Sequence, residues 1–437
     1  MLPEAIAILM FVVTFAIIFR GYPVAFTLGG CSLLFFFVGV ALDYFSFSLL
    51  KLIPSRIFGI MSNNILLAIP YFIFMGNILD KSGLAKDMLS NIGKLFGSLK
   101  GGLGATVIIV GALLAASTSI VAASVITMGV ISLPLMLEQG YSKKYATGVI
   151  VASGTLGQII PPSIVLIVLA DQMGISVGDL FKGAMFPGIL LTLLYLVYTF
   201  VLGKLQPSDL PLKIEENITT TKKEILWEVI KSSVPPLLLI VLVLGSIFTG
   251  VATVSEAGAV GAMGAYVLAK LKGRIGKKEL YESADKTVTT VSMVLFLLIG
   301  STVFALVFRA YNGDLLLEEF LLNLPGGKIG LILFSSLFVF ILGFFIDFFE
   351  IIFIIIPLLV PAAIALDVDL VWFAIIISMN LQTSFLTPPF GFSIFFLKGV
   401  APPEISTKDI YKGVIPFIAL QVLCMVLVYV FPELVSW

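Results

Sequence analysis

Two carboxylates occupy a place where a carboxylate is costly. Asp347 and Glu350 are the only charged residues between Ile329 and Leu366. A carboxylate at membrane depth marks a site by default, unless a proton, a basic group or backbone donors give it a structural role. Asp347 is the better candidate for an ion or for ordering a tip, with Glu350 one turn on. Hydroxyls and amides gather at other interruptions of apolar sequence: Ser117, Thr118 and Ser119; Ser153, Thr155 and Gln158; Asn380, Gln382, Thr383, Ser384 and Thr387. Neutral oxygens with one carboxylate suit a hard monovalent cation such as sodium, because hard cations take oxygen ligands. Any one of these hydroxyls is equally explained by helix packing or by bonding back to the preceding turn; their clustering carries the functional reading. Glu256 begins a helix of small residues and reads as structural. Other chemistries are excluded. The chain has no histidine, so Ser-His and Cys-His nucleophile pairs and His-based zinc sites are absent. No Gly-Lys-Ser/Thr phosphate loop occurs. No cofactor is expected, and the chain does not read as an enzyme.

The elements that must position these groups are transmembrane helices. Of 437 residues, 59% are hydrophobic and 12% charged, against about 25% charged in soluble domains. The net charge of zero leaves no field for nucleic acid. Cys31 and Cys424 lie in apolar segments, which argues against a disulfide framework. The first apolar segment, Ala5 to Phe19, has no basic leader and reads as a retained helix. Apolar spans run roughly over 4–19, 24–41, 57–79, 145–171 and 182–203, then over 233–249, 254–271, 287–308, 371–397 and 413–432. Two further tracts, about 101–138 and about 329–366, are too long for one crossing of about 20 residues and too short for two with a loop. Each is expected to be a re-entrant helical hairpin. Lys81, Lys86, Lys94 and Lys100 before the first hairpin and Lys143 and Lys144 after it place both flanks on the cytoplasmic side. Arg20 and Arg309 read as anchors at span ends.

The span 145–171 contains Ala152-Ser153-Gly154-Thr155-Leu156-Gly157-Gln158-Ile159-Ile160-Pro161-Pro162-Ser163. Tandem proline removes two backbone donors. A broken helix at membrane depth is tolerated where protein or a polar cavity covers the break. The chain repeats the device 227 positions later, with Pro388-Pro389 in the span 371–397. Other pairs keep similar offsets: Gly101-Gly102 with Gly326-Gly327, Pro134 with Pro361, and Asp179-Leu180-Phe181-Lys182-Gly183 with Asp409-Ile410-Tyr411-Lys412-Gly413. The expected architecture is an all-α polytopic membrane protein of two inverted-topology repeats, 1–205 and 232–437, joined by a cytoplasmic linker, 206–231. Each repeat supplies five crossings and one hairpin, and an odd number of crossings inverts the second half. Two hairpin tips and two broken helices would then meet near the midplane, where free N–H groups suit an anion and free carbonyls a cation.

At this point the residues resemble a family. Ala68-Ile69-Pro70-Tyr71-Phe72-Ile73-Phe74-Met75-Gly76, the Ser-Gly-Thr to Pro-Pro stretch, Gly343-Phe344-Phe345-Ile346-Asp347-Phe348-Phe349-Glu350 and Gln382-Thr383-Ser384-Phe385-Leu386-Thr387-Pro388-Pro389-Phe390-Gly391-Phe392 are similar to the large membrane subunit of tripartite ATP-independent periplasmic (TRAP) transporters. The phenylalanine-rich versions resemble the branch labelled mannitol/chloroaromatic. The resemblance implies a sodium-driven, elevator-type importer of organic acids in the bacterial inner membrane. It implies two partners, a periplasmic solute-binding protein and a small four-helix membrane subunit. By motif, one sodium site falls on Ser117, Thr118, Ser119, Gly154 and Thr155, and the other on Gly343, Asp347, Thr383 and Thr387. The carboxylate substrate falls among Ser153, Pro161, Pro162, Asn380, Gln382, Ser384, Pro388 and Pro389. Ala122 or Ala123 stands where many members carry a carboxylate. The rival readings are a stand-alone ion-coupled carboxylate permease of related fold, a membrane-embedded enzyme, and a channel.

Overall fold

The computed structural model describes residues 2–96, 99–118, 120–211 and 222–435, with the backbone alone at 2, 85, 115–118, 222 and 225. Among these the chain is helical, with no strand. The first part comprises α1 (Leu2–Ile18), α2 (Val24–Ala41), α3 (Leu52–Met61), α4 (Ala68–Lys81), α5 (Leu84–Phe96), α6 (Gly102–Thr118), α7 (Val121–Glu138), α8 (Lys143–Thr155), α9 (Ile164–Met173) and α10 (Val177–Leu205). The second comprises α11 (Lys222–Phe248), α12 (Val254–Leu271), α13 (Lys277–Ala310), α14 (Gly313–Leu322), α15 (Lys328–Leu342), α16 (Phe348–Ile354), α17 (Ile356–Ala365), α18 (Leu370–Leu386), α19 (Phe392–Val400) and α20 (Thr407–Val430). Residues 212–221 of the expected linker lie outside the described residues.

Among the described residues six helices are long and apolar enough to cross a bilayer: α2, α7, α10, α13, α20 and, from Leu226, α11. The pair α16 and α17, bent by 50°, makes a seventh if it is one span. Two of the ten expected crossings are each divided, into α8 with α9 and α18 with α19. The expected span 57–79 is also interrupted. Asn63 turns the chain between α3 and α4: its Oδ1 accepts from the Ile65 N–H at 2.9 Å, and its Nδ2 donates to Asp171 Oδ1. Such a local side-chain bond competes with the helix.

The two long tracts fold as hairpins. α6 packs against α7, and both pack against α8; α15 packs against α17 and α18. Helix α5 is strongly amphipathic. Leu84, Met88, Leu89 and Ile92 are buried, with the spacing of one helical face, while Lys94 reaches Glu228 on α11 at 3.0 Å.

The repeated sequence motif has a local cause. Ser176 caps α10 by accepting from the Asp179 N–H at 3.3 Å, and Ser406 caps α20 by accepting from the Asp409 N–H at 3.2 Å. The Asp therefore opens the same first helical turn in both places, where the helix dipole favours a negative group.

Helix partners are exchanged reciprocally between the two parts. α2 lies on α13, and α12 on α4. α1 meets α14, and α11 meets α5. α7 packs on α19, while α16 and α17 pack on α9. α20 crosses α8, and α10 crosses α18. One buried polar contact ties α4 to α13: Asn77 Nδ2 donates to Thr287 Oγ1 at 3.0 Å. Asn77→Ala is expected to destabilise the protein by about 1 kcal/mol. The readout is a fall of roughly 1–2 °C in thermal midpoint in lipid nanodiscs.

Candidate functional site

The first break is enclosed. Helix α8 starts from Ser142, whose Oγ accepts from the Tyr145 N–H at 3.3 Å. It runs to Thr155, tightens into a 3-10 turn over Leu156–Gln158, turns at Ile159 and bends through Pro162 until α9 resumes at Ile164. Pro161 and Pro162 lie in the bend, joined by a cis peptide. From Tyr145 to Ala170 every residue except Ile160 is buried. The interrupted backbone is thus covered by protein, the condition under which a break is tolerated at membrane depth.

The second break is open on one side. Helix α18 starts from Asp369, which accepts from the Trp372 N–H at 2.8 Å, and it is buried from Trp372 to Leu386. The chain then leaves the helix through Thr387 and the cis pair Pro388-Pro389. Pro389 and Phe390 are exposed, and Thr387 and Pro388 are half-buried. The ring of Phe345 lies 5.5 Å from Phe390 and 5.3 Å from Phe19. These three phenylalanines stand beside the break on its exposed side, a grouping that no sequence signal indicated.

The breaks touch each other. Gln382 Nε2 donates to Thr155 Oγ1 at 3.4 Å, across 227 positions of sequence. Ser378 Oγ donates to the Gln158 carbonyl at 3.0 Å, and Ser163 Oγ donates to the same carbonyl at 3.1 Å. That carbonyl is freed by the break, and hydroxyls from both helices satisfy it. The Gln158 side chain is fully buried between the breaks, and neither of its amide atoms has a partner among the described residues.

Each hairpin lies close against the broken helix of its own part. A Cβ on Gly111 of α6 would stand 2.6 Å from Ser153 Cβ, and one on Gly154 would stand 2.5 Å from Val125 Cγ2 of α7. A Cβ on Gly343 would stand 2.1 Å from Ser384 Oγ. Asn380 Nδ2 donates to the Ser336 carbonyl of α15. Small residues here let helix backbones approach.

At the second tip the chain turns over Gly343–Ile346, and Asp347 starts α16. Asp347 Oδ1 accepts from the Phe348 N–H at 2.7 Å, and Glu350 Oε2 accepts from the Asp347 N–H at 3.0 Å. The pair forms a capping box, which gives Glu350 a structural task. Asp347 commits one oxygen to the cap, and both carboxylates are half-buried. Glu256 has the same kind of task, accepting from Thr253 N and Oγ1, each at 2.8 Å, at the start of α12.

The hydroxyls are oriented alike. Ser153 donates to Val149 O at 2.7 Å, Thr155 to Ala152 O at 2.8 Å, Thr383 to Met379 O at 2.7 Å, Ser384 to Leu381 O at 2.8 Å and Thr387 to Thr383 O at 2.7 Å. Each hydroxyl proton is spent along its own helix, so the oxygen presents lone pairs. Such oxygens suit a cation and are poor partners for a carboxylate. Donors for an anion here are amides, backbone N–H groups and the N-termini of α9 and α19. The first tip was expected to contribute Ser117, Thr118 and Ser119. The side chains of Ser117 and Thr118, and Ser119 entirely, lie outside the described residues. Among the described residues no group of three or more His, Cys, Asp or Glu is arranged to hold a metal ion.

Residues 11–434 match the family model described as the DctM component of the tripartite ATP-independent periplasmic transporter. The chain belongs to this family. The TRAP permease is 27% identical to the C4-dicarboxylate TRAP transporter large permease protein DctM of Vibrio cholerae, over 98% of its own length and 96% of the relative's. It is 26% identical to the sialic acid TRAP transporter large permease protein SiaM of the same organism, over 95% and 94%. Its fold is similar to that of the YdaH transporter of Alcanivorax borkumensis, with a TM-score of 0.63, 14% identity, and 88% and 89% of the two chains covered. The permease is therefore a multi-pass protein of the bacterial inner membrane and a transporter, not an enzyme.

Proposed function

We propose that this permease imports an organic acid by coupling it to sodium, as the large membrane subunit of a three-part system. A periplasmic solute-binding protein delivers the acid, and a small four-helix membrane subunit completes the scaffold. The observation that carries the reading is the contact between the two breaks, with Gln382 on Thr155 and Ser378 on the Gln158 carbonyl. Two separate interruptions of the helical backbone are buried against each other, which concentrates free carbonyls, N–H groups and hydroxyl oxygens at one place. The relatives' names point to the substrate class: C4-dicarboxylate and sialic acid are both organic acids.

The proposal includes inverted repeats of five crossings and one re-entrant hairpin each. The reciprocal exchange of helix partners supports it, as do the matched caps at Ser176 and Ser406. Sodium is assigned to the acceptor-only oxygens of Thr155, Thr383 and Thr387 with backbone carbonyls and Asp347. The carboxylate is assigned to amide and backbone donors at the breaks, beside Pro161-Pro162 and Pro388-Pro389. The elevator step moves the hairpins, broken helices, α10 and α20 against α1–α4 and α11–α13. Support for this division is that α2, α4, α12 and α13 pack chiefly on one another, while α7, α8, α18 and α20 pack among the hairpins and breaks.

The test is uptake into proteoliposomes holding the permease and its small subunit, with a panel of keto, hydroxy and sugar acids. Uptake is expected only with an inward sodium gradient and added binding protein. Sodium-driven uptake without binding protein would replace this reading with a stand-alone permease. Unsaturable, sodium-independent flux would replace it with a channel.

A further inference from the structure

Helix α4 is where the two units of the elevator step meet. It packs on α6 of the first hairpin and on α9 of the first broken helix. Apolar burial is non-directional, so it holds such a surface together at many registers. A hydrogen bond holds at one register, because its length and angle tolerate little change. Two side-chain hydrogen bonds cross this surface, one beyond each end of the α4 core. Asn63, in the turn before α4, donates from Nδ2 to Asp171 Oδ1 of α9 at 2.5 Å. The other oxygen of Asp171 accepts from Gln172 Nε2 at 2.8 Å. At the far end, Thr127 Oγ1 of α7 donates to Asp80 Oδ1 of α4 at 3.0 Å. Both acceptors are half-buried carboxylates.

The same contacts report how far the moving unit has travelled. Lys81, Lys86 and Lys94 put the last turn of α4 on the cytoplasmic side, so Asp80 stands at that level. Thr127 does not stand at the inner end of its own helix. From Thr127 to the end of α7 at Glu138 there is about 16 Å of helix. The root of the first hairpin therefore reaches past the inner end of α4. The second hairpin enters from the opposite face in the inverted-repeat reading. Its tip residue Phe345 nevertheless reaches Phe19 at the inner end of α1, with 5.3 Å between ring centroids. Phe390, on the exposed side of the second break, lies beside the same ring at 5.5 Å. Both hairpins are displaced toward the cytoplasm although they enter from opposite faces. A shift of the whole unit produces that pattern, and a difference in hairpin length does not.

We propose that Asn63–Asp171 and Thr127–Asp80 are latches that hold the permease in this cytoplasm-facing position. The proposal rests on the elevator step described above. The two bonds sit at opposite ends of α4, so a slide of one helical turn, about 5 Å, breaks both together. Each rupture leaves a half-buried carboxylate without its donor, which makes the end of the stroke a defined stop. Neither latch includes an oxygen assigned to sodium or a donor assigned to the acid. The latches therefore set how long the cytoplasm-facing position lasts and leave ligand affinity to the breaks.

The test is single-molecule energy transfer on the full chain with its small subunit in lipid nanodiscs. Dyes go on Leu271→Cys of the scaffold and Lys408→Cys of the moving unit, both exposed positions. The native Cys31 and Cys424 are buried, out of reach of the dye. The signal is expected to alternate between two levels, with sodium chloride or without it. Asn63→Asp keeps the bond from the Ile65 N–H and loses the donor to Asp171. Its dwell in the cytoplasm-facing level is expected to shorten about tenfold, the effect of one hydrogen bond to a charged group. Thr127→Val is expected to do the same at the other latch. Asn63→Asp combined with Asp171→Asn exchanges donor and acceptor across the first latch, and Gln172 keeps its acceptor. The dwell of that double variant is expected to recover to within about twofold of wild type. An unchanged dwell in Asn63→Asp or Thr127→Val overturns the latch that the variant breaks. A short dwell that the double variant does not restore traces to a damaged turn and overturns the first latch. A single unchanging level in every condition overturns the elevator step and the latches with it. Two levels with unchanged dwells overturn the latches alone.

Discussion

Gly148→Val is expected to remove most of the folded permease from the membrane. A Cβ at Gly148 would stand 2.1 Å from the Gly413 carbonyl oxygen and 3.0 Å from Gly413 Cα. The contact is reciprocal, because a Cβ at Gly413 would stand 2.1 Å from the Lys144 carbonyl oxygen. Both obstacles are backbone, so no side chain can swing aside. α8 and α20 would have to separate, carrying the first break away from its neighbours. Overpacking a core typically costs about 1–3 kcal/mol when side chains can yield, and here the cost is expected to exceed about 3 kcal/mol. The measurement is the fluorescence size-exclusion yield of the full chain in mild detergent, beside Gly399→Ala. A Cβ at Gly399 meets nothing within 4 Å, and alanine is favoured over glycine inside a helix by up to about 1 kcal/mol. That control should keep or raise the yield. A normal yield of Gly148→Val would show that the helices can part without cost and would undo the packing argument.

What the sequence makes visible follows from which signals are local. The two breaks are readable because proline and glycine act on the backbone itself, and because the device recurs at 227 positions. Recurrence matters: Pro235-Pro236 lies inside the continuous α11 and breaks nothing, so a proline pair alone does not mark a break. The capping acids Asp179 and Asp409 are also readable, since a cap is settled within four residues. Helix α5 escaped notice among basic residues, although its buried leucines have helical spacing. The interruption at Asn63 is only half local: its bond from Ile65 lies within two residues, but the bond to Asp171 that holds the side chain spans 108 positions. The seating of Ser153 on Gly111 and of Ser384 on Gly343 is tertiary and has no local signature. So is the direction of each hydroxyl proton, which separates oxygens suited to a cation from groups suited to an anion. Serine and threonine look alike in sequence whichever way they point, so which oxygens present lone pairs is not legible there.

Asp347→Asn is the variant that separates charge from scaffold at the second tip. Asparagine caps helices about as well as aspartate, and its Oδ1 can keep the bond from the Phe348 N–H. Glu350 would still accept from the N–H of residue 347, so the turn into α16 is expected to hold and the stability to stay within about 0.5 kcal/mol of wild type. The negative charge alone is lost. If that charge faces a bound sodium ion, removing it costs about 3 kcal/mol, the lower range for breaking a buried ion pair, or more than about 100-fold in apparent sodium affinity. Uptake at fixed substrate should then need far more sodium to reach half its maximum. Binding of the acid by the proposed solute-binding protein should be untouched. Direct sodium binding to the permease by calorimetry gives the same answer without transport. A sodium dependence identical to wild type would reduce Asp347 to a helix cap. The cation would then rest on Thr155, Thr383, Thr387 and backbone carbonyls alone, a set of neutral oxygens whose affinity must come from number and geometry instead of charge.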